Sequence, residues 1–418
     1  MYPIVVVLLD GLGDRAHESL GGRTANEAAQ TPSLDALAVR SSCGVLYAVG
    51  PGRAPSSEVA HWSMFGYRQE EFPGRAVLEA LGAGQQLDPV DAFAFAALRP
   101  SETRDGELWL TGRPRRGEDD DLARSLIERC ADIEVDGLRF MLADLGRGEA
   151  ILRVSGGADD RITDSDAFFR DRHPVLRPKA VVPDAQRTAG AAEAWTRIVL
   201  DRLKGERLNV VTLKWWGRPR PAPTFLERHG IEGAFLAGTR FMHGLARAVG
   251  LEPVRCDETD DPAGDLERRV ALIGARLDAG DTFVFSHLKA TDEAGHTKDP
   301  AVKRQTIEAL DGSLAGLSDL ESRAIVCVTG DHATPASPEV IHSGDPVPLL
   351  VAGPGVRADR VASFGELECA GGILGHLRGP DLMPVLLNAA DRPLFLGSRP
   401  TPIAGADGYP AALESLRP

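Results

Sequence analysis

The stretch Ala324-Ile-Val-Cys-Val-Thr-Gly-Asp-His-Ala-Thr-Pro335 carries the reading of the fold. Its first five residues are apolar, rich in β-branched side chains and stopped by Thr-Gly, which predicts a buried strand. Asp331 and His332 then stand where that strand ends, the edge at which open α/β sheets bind ligands. His342 comes soon after, in His342-Ser-Gly-Asp-Pro-Val-Pro-Leu-Leu350. A carboxylate beside an imidazole, with a second imidazole nearby, supplies the oxygen and nitrogen ligands that Zn²⁺, Mn²⁺ and related ions take. Taken alone, the stretch fits a loop acid with two surface histidines equally well.

The same arrangement recurs. Ile4–Leu9 reads as a buried strand that ends in Asp10-Gly-Leu-Gly-Asp14, an acid followed by glycines that let backbone approach a ligand. Thr282–Phe285 reads as another, ending in Ser286-His-Leu-Lys-Ala-Thr-Asp-Glu-Ala-Gly-His296. The spacing Asp292-x-x-x-His296 suits two side chains on one side of a turn. Gly44–Val49 is a further strand, leading through Gly50–Ser57 to helical spacing from Glu58 to Met64. Ser57 therefore falls at a helix N-terminus, where free N–H groups favour anions, including a phosphate on the serine itself. Simple N-capping is the commoner use of such a serine.

Leu208–Leu213 is one more strand, and Lys214-Trp-Trp-Gly-Arg-Pro-Arg-Pro-Ala-Pro223 reads as a proline-stiffened loop with three cations. Helical patterns cover 188–203, 239–249, 265–279 and 301–317. Strands alternating with helices predict an α/β fold with a doubly wound, mainly parallel sheet. Between 91 and 175 short strands surround one helix, which suggests a smaller α+β cap inserted into that fold. The expected division is 1–90 and 176–418 for the core, with 91–175 as the cap.

Composition narrows the function. The chain has 418 residues, enough for two to three domains, and its 43% hydrophobic content allows a sizeable core. Five scattered cysteines, an odd number without a C-x-x-C pair, argue against a disulfide framework or thiolate zinc site and fit a reducing cytoplasm. The apolar start meets Asp10 too soon to span a membrane, and no later run reaches that length. A net charge of −14 makes nucleic acid an unsuitable partner. A phosphorylated substrate would also be repelled on average, so bound cations and local arginines must invert the field at the site.

Taken together the motifs resemble the cofactor-independent phosphoglycerate mutases, most closely their archaeal-type branch, within the alkaline phosphatase superfamily. The resemblance rests on Asp10–Asp14, Thr31-Pro-Ser-Leu-Asp35, Ser57-Glu-Val-Ala-His61, Gly74-Arg-Ala-Val-Leu-Glu-Ala-Leu-Gly82, Lys289–His296, Gly330-Asp-His-Ala-Thr-Pro335, His342–Pro348 and Gly372–Asn388. It implies an alkaline-phosphatase-like core and a two-metal phosphotransferase site. Asp10, Ser57, Asp331 and His332 would hold one ion, and Asp292, His296 and His342 the other. Mn²⁺ or Zn²⁺ would suit, Mg²⁺ as an option, with no bisphosphoglycerate primer. Ser57 would be the nucleophile, activated by its metal. His61 would protonate the leaving oxygen, and Lys289, also catalytic, would hold phosphate or carboxylate as a point charge. Arg75, Lys214 and Arg113 would bind anionic groups of a small phosphorylated metabolite.

The departures fall elsewhere. Where the archaeal-type mutases carry Arg-x-Asn-Phe, this chain has Phe93-Ala-Phe-Ala-Ala-Leu98, and an arginine-rich element is only echoed by Arg113-Pro-Arg-Arg-Gly117. Asp164-Ser-Asp166 stands near the family's Asp-Pro-His, and Lys214-Trp-Trp-Gly217 replaces its Arg-Gly loop. The leading expectation is interconversion of 2- and 3-phosphoglycerate. A mutase or phosphatase for another small phosphorylated or phosphonylated metabolite is the alternative, and a non-catalytic metal-binding homologue the second.

Overall fold

In the computed structural model, which describes residues 1–167, 172–338, 340–394 and 416–417, Ile4–Leu9 lies between Phe283–Leu288 and Ile325–Thr329, parallel to both. All residues of these three strands are buried. Both faces are covered, which is why Ile4–Leu9 and Ile325–Val328 read as continuous apolar runs instead of alternating ones. Val5, Val7, Leu9, Val284, Val326 and Val328 share a core with Leu266 and Ile273 of the helix Pro262–Asp278 and with Ile307, Leu310 and Leu314 of the helix Pro300–Leu314. Each such side chain contributes roughly 1.5–3 kcal/mol by leaving water.

These strands form the centre of an eight-stranded sheet. Its order is Glu252–Arg255, Gly233–Ala237, Phe283–Leu288, Ile4–Leu9, Ile325–Thr329, Val347–Ala352, Ser42–Tyr47, Gly375–Arg378. Only Val347–Ala352 runs antiparallel to its neighbours, so the expected mainly parallel α/β sheet is present. Register sets where the loops emerge. Leu9 pairs with Leu288, and Leu8 with Thr329, so the three central strands end together. The residues just beyond them, Asp10, Lys289 and Asp331, therefore share one edge of the sheet.

The chain divides into two units, Met1–Phe72 with Ala222–Pro418, and Pro73–Pro221. The eight-stranded sheet belongs to the first. The second holds a five-stranded antiparallel sheet ordered Asp132–Val135, Leu138–Gly146, Glu149–Ser155, Ala92–Arg99, Val210–Gly217. Its core includes Phe140 stacked on Trp195 of the helix Gln186–Arg202.

Two expectations about this region change. The second unit is wider than 91–175, because the helix Arg75–Gly82 and the strand Val210–Gly217 pack against Ala92–Arg99. Lys214-Trp-Trp-Gly217 is strand, not loop: pairing shifts between Phe93 and Phe95, and Trp215 takes φ 59° at that irregularity. A bulge of this kind lets an edge strand continue past a residue that the pattern reads as a turn.

Among the described residues no helix is long and apolar enough to cross a membrane. The five cysteines are free thiols.

Candidate active site

Asp10 is buried and its two oxygens differ. Oδ2 accepts from His287 Nε2 at 3.0 Å, whereas Oδ1 has no hydrogen-bond partner and lies 3.3 Å from His332 Nε2. Asp331 repeats the arrangement. Its Oδ1 accepts from the backbone N–H of Gly11 and His332, both at 3.0 Å. Its Oδ2 has no hydrogen-bond partner and lies 3.3 Å from the same His332 nitrogen and 3.6 Å from His61 Nδ1. Leaving a buried carboxylate oxygen unpaired costs about 1–3 kcal/mol or more, and two of them facing one imidazole nitrogen form a group that could hold a cation.

The imidazole is prepared to match. His332 Nδ1 lies 3.2 Å from Thr334 Oγ1, which itself donates to Asp292 Oδ1 at 2.7 Å. The threonine proton is thus committed, so Nδ1 carries the imidazole proton and Nε2 presents its lone pair. Burial pushes His332 down to about 3, which keeps the ring neutral, the form that ligates metal. Ser57 Oγ stands 3.1 Å from that Nε2. Ser57 is the first residue of the helix Ser57–Met64, with Ser56 as its N-cap.

A second group of donors adjoins the first through Thr334. Asp292 and His296 lie one turn apart on the short helix Ala290–His296, instead of the turn that their spacing suggests. His296 Nε2 is 3.3 Å and His342 Nε2 3.5 Å from Asp292 Oδ1. His342 Nδ1 donates to Pro55 O at 2.9 Å, which again leaves Nε2 as the nitrogen facing the carboxylate. The His332 and His342 rings stack with centroids 3.8 Å apart.

The donor sets are therefore Asp10, Asp331 and His332, with Ser57 beside them, and Asp292, His296 and His342. Bonds of about 2.0–2.2 Å to a tetrahedral ion put neighbouring donors about 3.3–3.6 Å apart. The separations of 3.3–3.5 Å found here suit such ions. Asp/His donor sets of this kind take Mn²⁺ or Zn²⁺ and several neighbours.

Lys289 also lies here, its Nζ 2.6 Å from Asp292 Oδ2 and 3.8 Å from Asp10 Oδ2. Burial pulls this ammonium down, but Asp10 and Asp292 outweigh it and hold its pKa above the ordinary range. It is a fixed positive charge.

His61 is the expected general acid. It is wholly buried, its Nδ1 bonded to Ser57 O at 2.7 Å and its ring set among Phe65, Phe235, Phe285 and His287. Burial, helped by His287, pushes it down to about 3. A neutral imidazole so placed holds its one proton on Nδ1, toward Ser57 O and 3.6 Å from Asp331 Oδ2. It supports the helix turn that carries Ser57.

Arg75, Lys214 and Arg113 belong to the second unit. The Arg75 guanidinium lies 4.0 Å over the Trp215 ring, and Lys214 Nζ lies 4.3 Å over it. Burial lowers the Lys214 pKa against the pull of Asp166, and Arg113, Arg75 and Arg99 lower it further. These cations thus crowd one region of that unit.

Three supporting residues escape a reading of the sequence. His287 sits inside the strand Phe283–Leu288, where a buried polar residue in an apolar run is the available signal. Thr334 joins the two donor groups, and Thr291 Oγ1 donates to Asp10 O. Both belong to motifs that carry metal donors, but hydroxyl hydrogen bonds leave no spacing pattern.

The profile of the metalloenzyme superfamily matches residues 2–389. The 2,3-bisphosphoglycerate-independent phosphoglycerate mutase 2 of Methanocaldococcus jannaschii is 34% identical over 423 residues, which cover 94% of this chain and 95% of that protein. The cofactor-independent phosphoglycerate mutase from Thermoplasma acidophilum aligns in structure with a TM-score of 0.65 at 28% identity, over 93% of this chain and 100% of the other. The PH0037 protein from Pyrococcus horikoshii aligns at 0.77 and 28%, over 95% and 99%. With two sets of Asp and His donors beside a serine at a helix start, and relatives of this identity along nearly its whole length, the chain belongs to the 2,3-bisphosphoglycerate-independent phosphoglycerate mutases of the metalloenzyme superfamily.

Proposed function

We propose that this chain interconverts 2- and 3-phosphoglycerate by passing the phosphoryl group through Ser57, using two divalent ions and no bisphosphoglycerate primer. Mn²⁺ or Zn²⁺ is the expected pair, with Mg²⁺ also compatible with the oxygen donors. The observation that carries the reading is the Ser57 hydroxyl 3.1 Å from His332 Nε2, beside the Asp10, Asp331 and His332 donors.

Bound ions would lower the pKa of the serine hydroxyl and offset charge on the attacking and leaving oxygens. The residues do the rest. Ser57 Oγ forms the new bond to phosphorus while the bond to the first glycerate oxygen breaks. The phosphoserine then lies at the start of the helix Ser57–Met64, where backbone N–H groups favour its charge. The other glycerate hydroxyl attacks the same phosphorus and Ser57 leaves. One hydroxyl gains the proton that the other gives up, so a full turnover consumes none. His332, pushed down to about 3, is too weak a base to take the serine proton at neutral pH, which supports its use as a ligand. Lys289 remains charged and offsets phosphoryl charge instead of donating its proton.

Arg75 and Lys289 are proposed to bind phosphate or carboxylate groups of the substrate, Arg75 through its planar fork and Lys289 as a point charge, with Lys214 and Arg113 as further substrate-binding candidates. The five free thiols accord with a cytoplasmic protein.

The test is ³¹P NMR of 3-phosphoglycerate with the chelator-treated, Mn²⁺- or Zn²⁺-loaded protein and no primer. Conversion to 2-phosphoglycerate that disappears in Ser57→Ala supports the proposal. Release of inorganic phosphate without isomerisation would make the protein a phosphatase, and activity retained by Ser57→Ala would remove the nucleophile.

A further inference from the structure

Lys303 is fully buried on the helix Pro300–Leu314. Its Nζ donates to Gly11 O at 2.9 Å, Gly13 O at 2.7 Å and Thr334 O at 2.8 Å. Three carbonyl acceptors around one nitrogen require three N–H donors, which an ammonium has and a neutral amine lacks. Among the described residues no carboxylate lies within ion-pair distance of it. An ammonium taken into the interior without a paired anion is costly, and the groups that touch this one are backbone carbonyls. Asp14, Glu366 and Asp292 offer attraction at longer range against the burial that lowers its pKa.

The three carbonyls belong to the two loops that carry the metal donors. Gly11 and Gly13 follow Asp10, and Thr334 follows Asp331 and His332. The side chain of Thr334 reaches Asp292 Oδ1 and His332 Nδ1, one member of each donor group. The loops approach closely because Gly11 has no side chain: a Cβ there would lie 2.4 Å from Thr334 Oγ1, at a φ of +64°. Backbone brought this near turns carbonyl oxygens toward one another, and without a shared donor they would repel.

We propose that Lys303 is a positioning residue: its ammonium locks the Asp10 loop to the Asp331–Thr334 loop and so holds both donor groups at the spacing that divalent ions need. This rests on the reading of those groups as metal sites. Lys303 touches neither ion nor substrate; it acts through the carbonyls of Gly11, Gly13 and Thr334.

The test compares Mn²⁺ titrations by calorimetry of chelator-treated wild type, Lys303→Met and Lys303→Gln, with thermal melts in chelator alongside. Lys303→Met keeps the aliphatic bulk without the donors, and Lys303→Gln keeps two donors without the charge. The expected result is Mn²⁺ affinity weakened by about 10–100-fold at both sites, as for loss of other groups that orient metal ligands. Melting in chelator should fall much less than melting with Mn²⁺. Unchanged affinity in a folded variant overturns the proposal, and so does failure of both variants to fold, which would make Lys303 a purely structural residue. Wild type that binds no Mn²⁺ would instead overturn the metal reading itself.

Discussion

At the scale of single residues, the site depends on oxygens and nitrogens that are each given one task. Oδ1 of Asp331 is tied to two backbone N–H groups, which leaves Oδ2 for a cation. Oδ2 of Asp10 is tied to His287, which leaves Oδ1. His61 bears on this division through Ser57 and Asp331. Its Nδ1 is bonded to Ser57 O beneath the proposed nucleophile, and its ring is neutral and enclosed. His61→Asn keeps a side-chain N–H for that carbonyl but has no proton to transfer. Loss of a general acid costs roughly 10²–10⁴-fold in rate. The expected outcome for His61→Asn is a much smaller change in kcat with an unshifted pH–rate profile, accompanied by a lower melting temperature from the lost ring packing. A fall of the larger size would support His61 as the acid.

At the scale of elements, legibility tracks burial and regularity. Ile4–Leu9 and Ile325–Thr329 are readable because strands covered on both faces are plain apolar runs, and Asp10 and Asp331 are readable as the acids at their ends. Gly233–Ala237 is not, because five residues with glycine and alanine carry too little pattern, and its place in the sheet comes from neighbours far away in sequence. The helix Ala290–His296 reads as a turn because Asp and Gly weaken helical propensity, and tertiary packing overrides that. Gly295 shows how. A Cβ there would lie 2.4 Å from Thr334 O and 2.8 Å from Thr334 Cγ2, so this helix sits directly on the loop that bears His332. Helical preference alone predicts that Gly295→Ala stabilises by about 1 kcal/mol. Contact with a backbone oxygen predicts a loss of about 1–3 kcal/mol. The contact should win, and denaturant unfolding of Gly295→Ala should show lower stability; a gain would mean that the helix is free to move away.

At the scale of the molecule, the first unit is built from sequence on both sides of the second, and Glu366 helps to close it. Its Oε2 accepts from Thr24 Oγ1 at 2.8 Å, joining residues that stand 342 positions apart. Nothing in the sequence around Glu366 signals this, because a glutamate at the start of a short helix is ordinarily solvated. Burial pushes its carboxyl up to about 7 from the ordinary 4.5, although Thr24 pulls the other way. The sign comes from linkage. The fold binds the glutamate proton more tightly than the unfolded chain does, so its stabilising effect is complete below about pH 4.5 and is lost as pH rises through 7. Over that window the native state should lose roughly 3 kcal/mol on account of this one group. Glu366→Gln keeps an oxygen acceptor for Thr24 and carries no charge. Unfolding measured at pH 5 and pH 8 should therefore show a smaller decline for Glu366→Gln than for wild type, with the variant ahead at pH 8. Equal declines in the two proteins would mean that Glu366 stays ionised in the fold, and the nearby Lys303 ammonium would then be the charge that keeps it so.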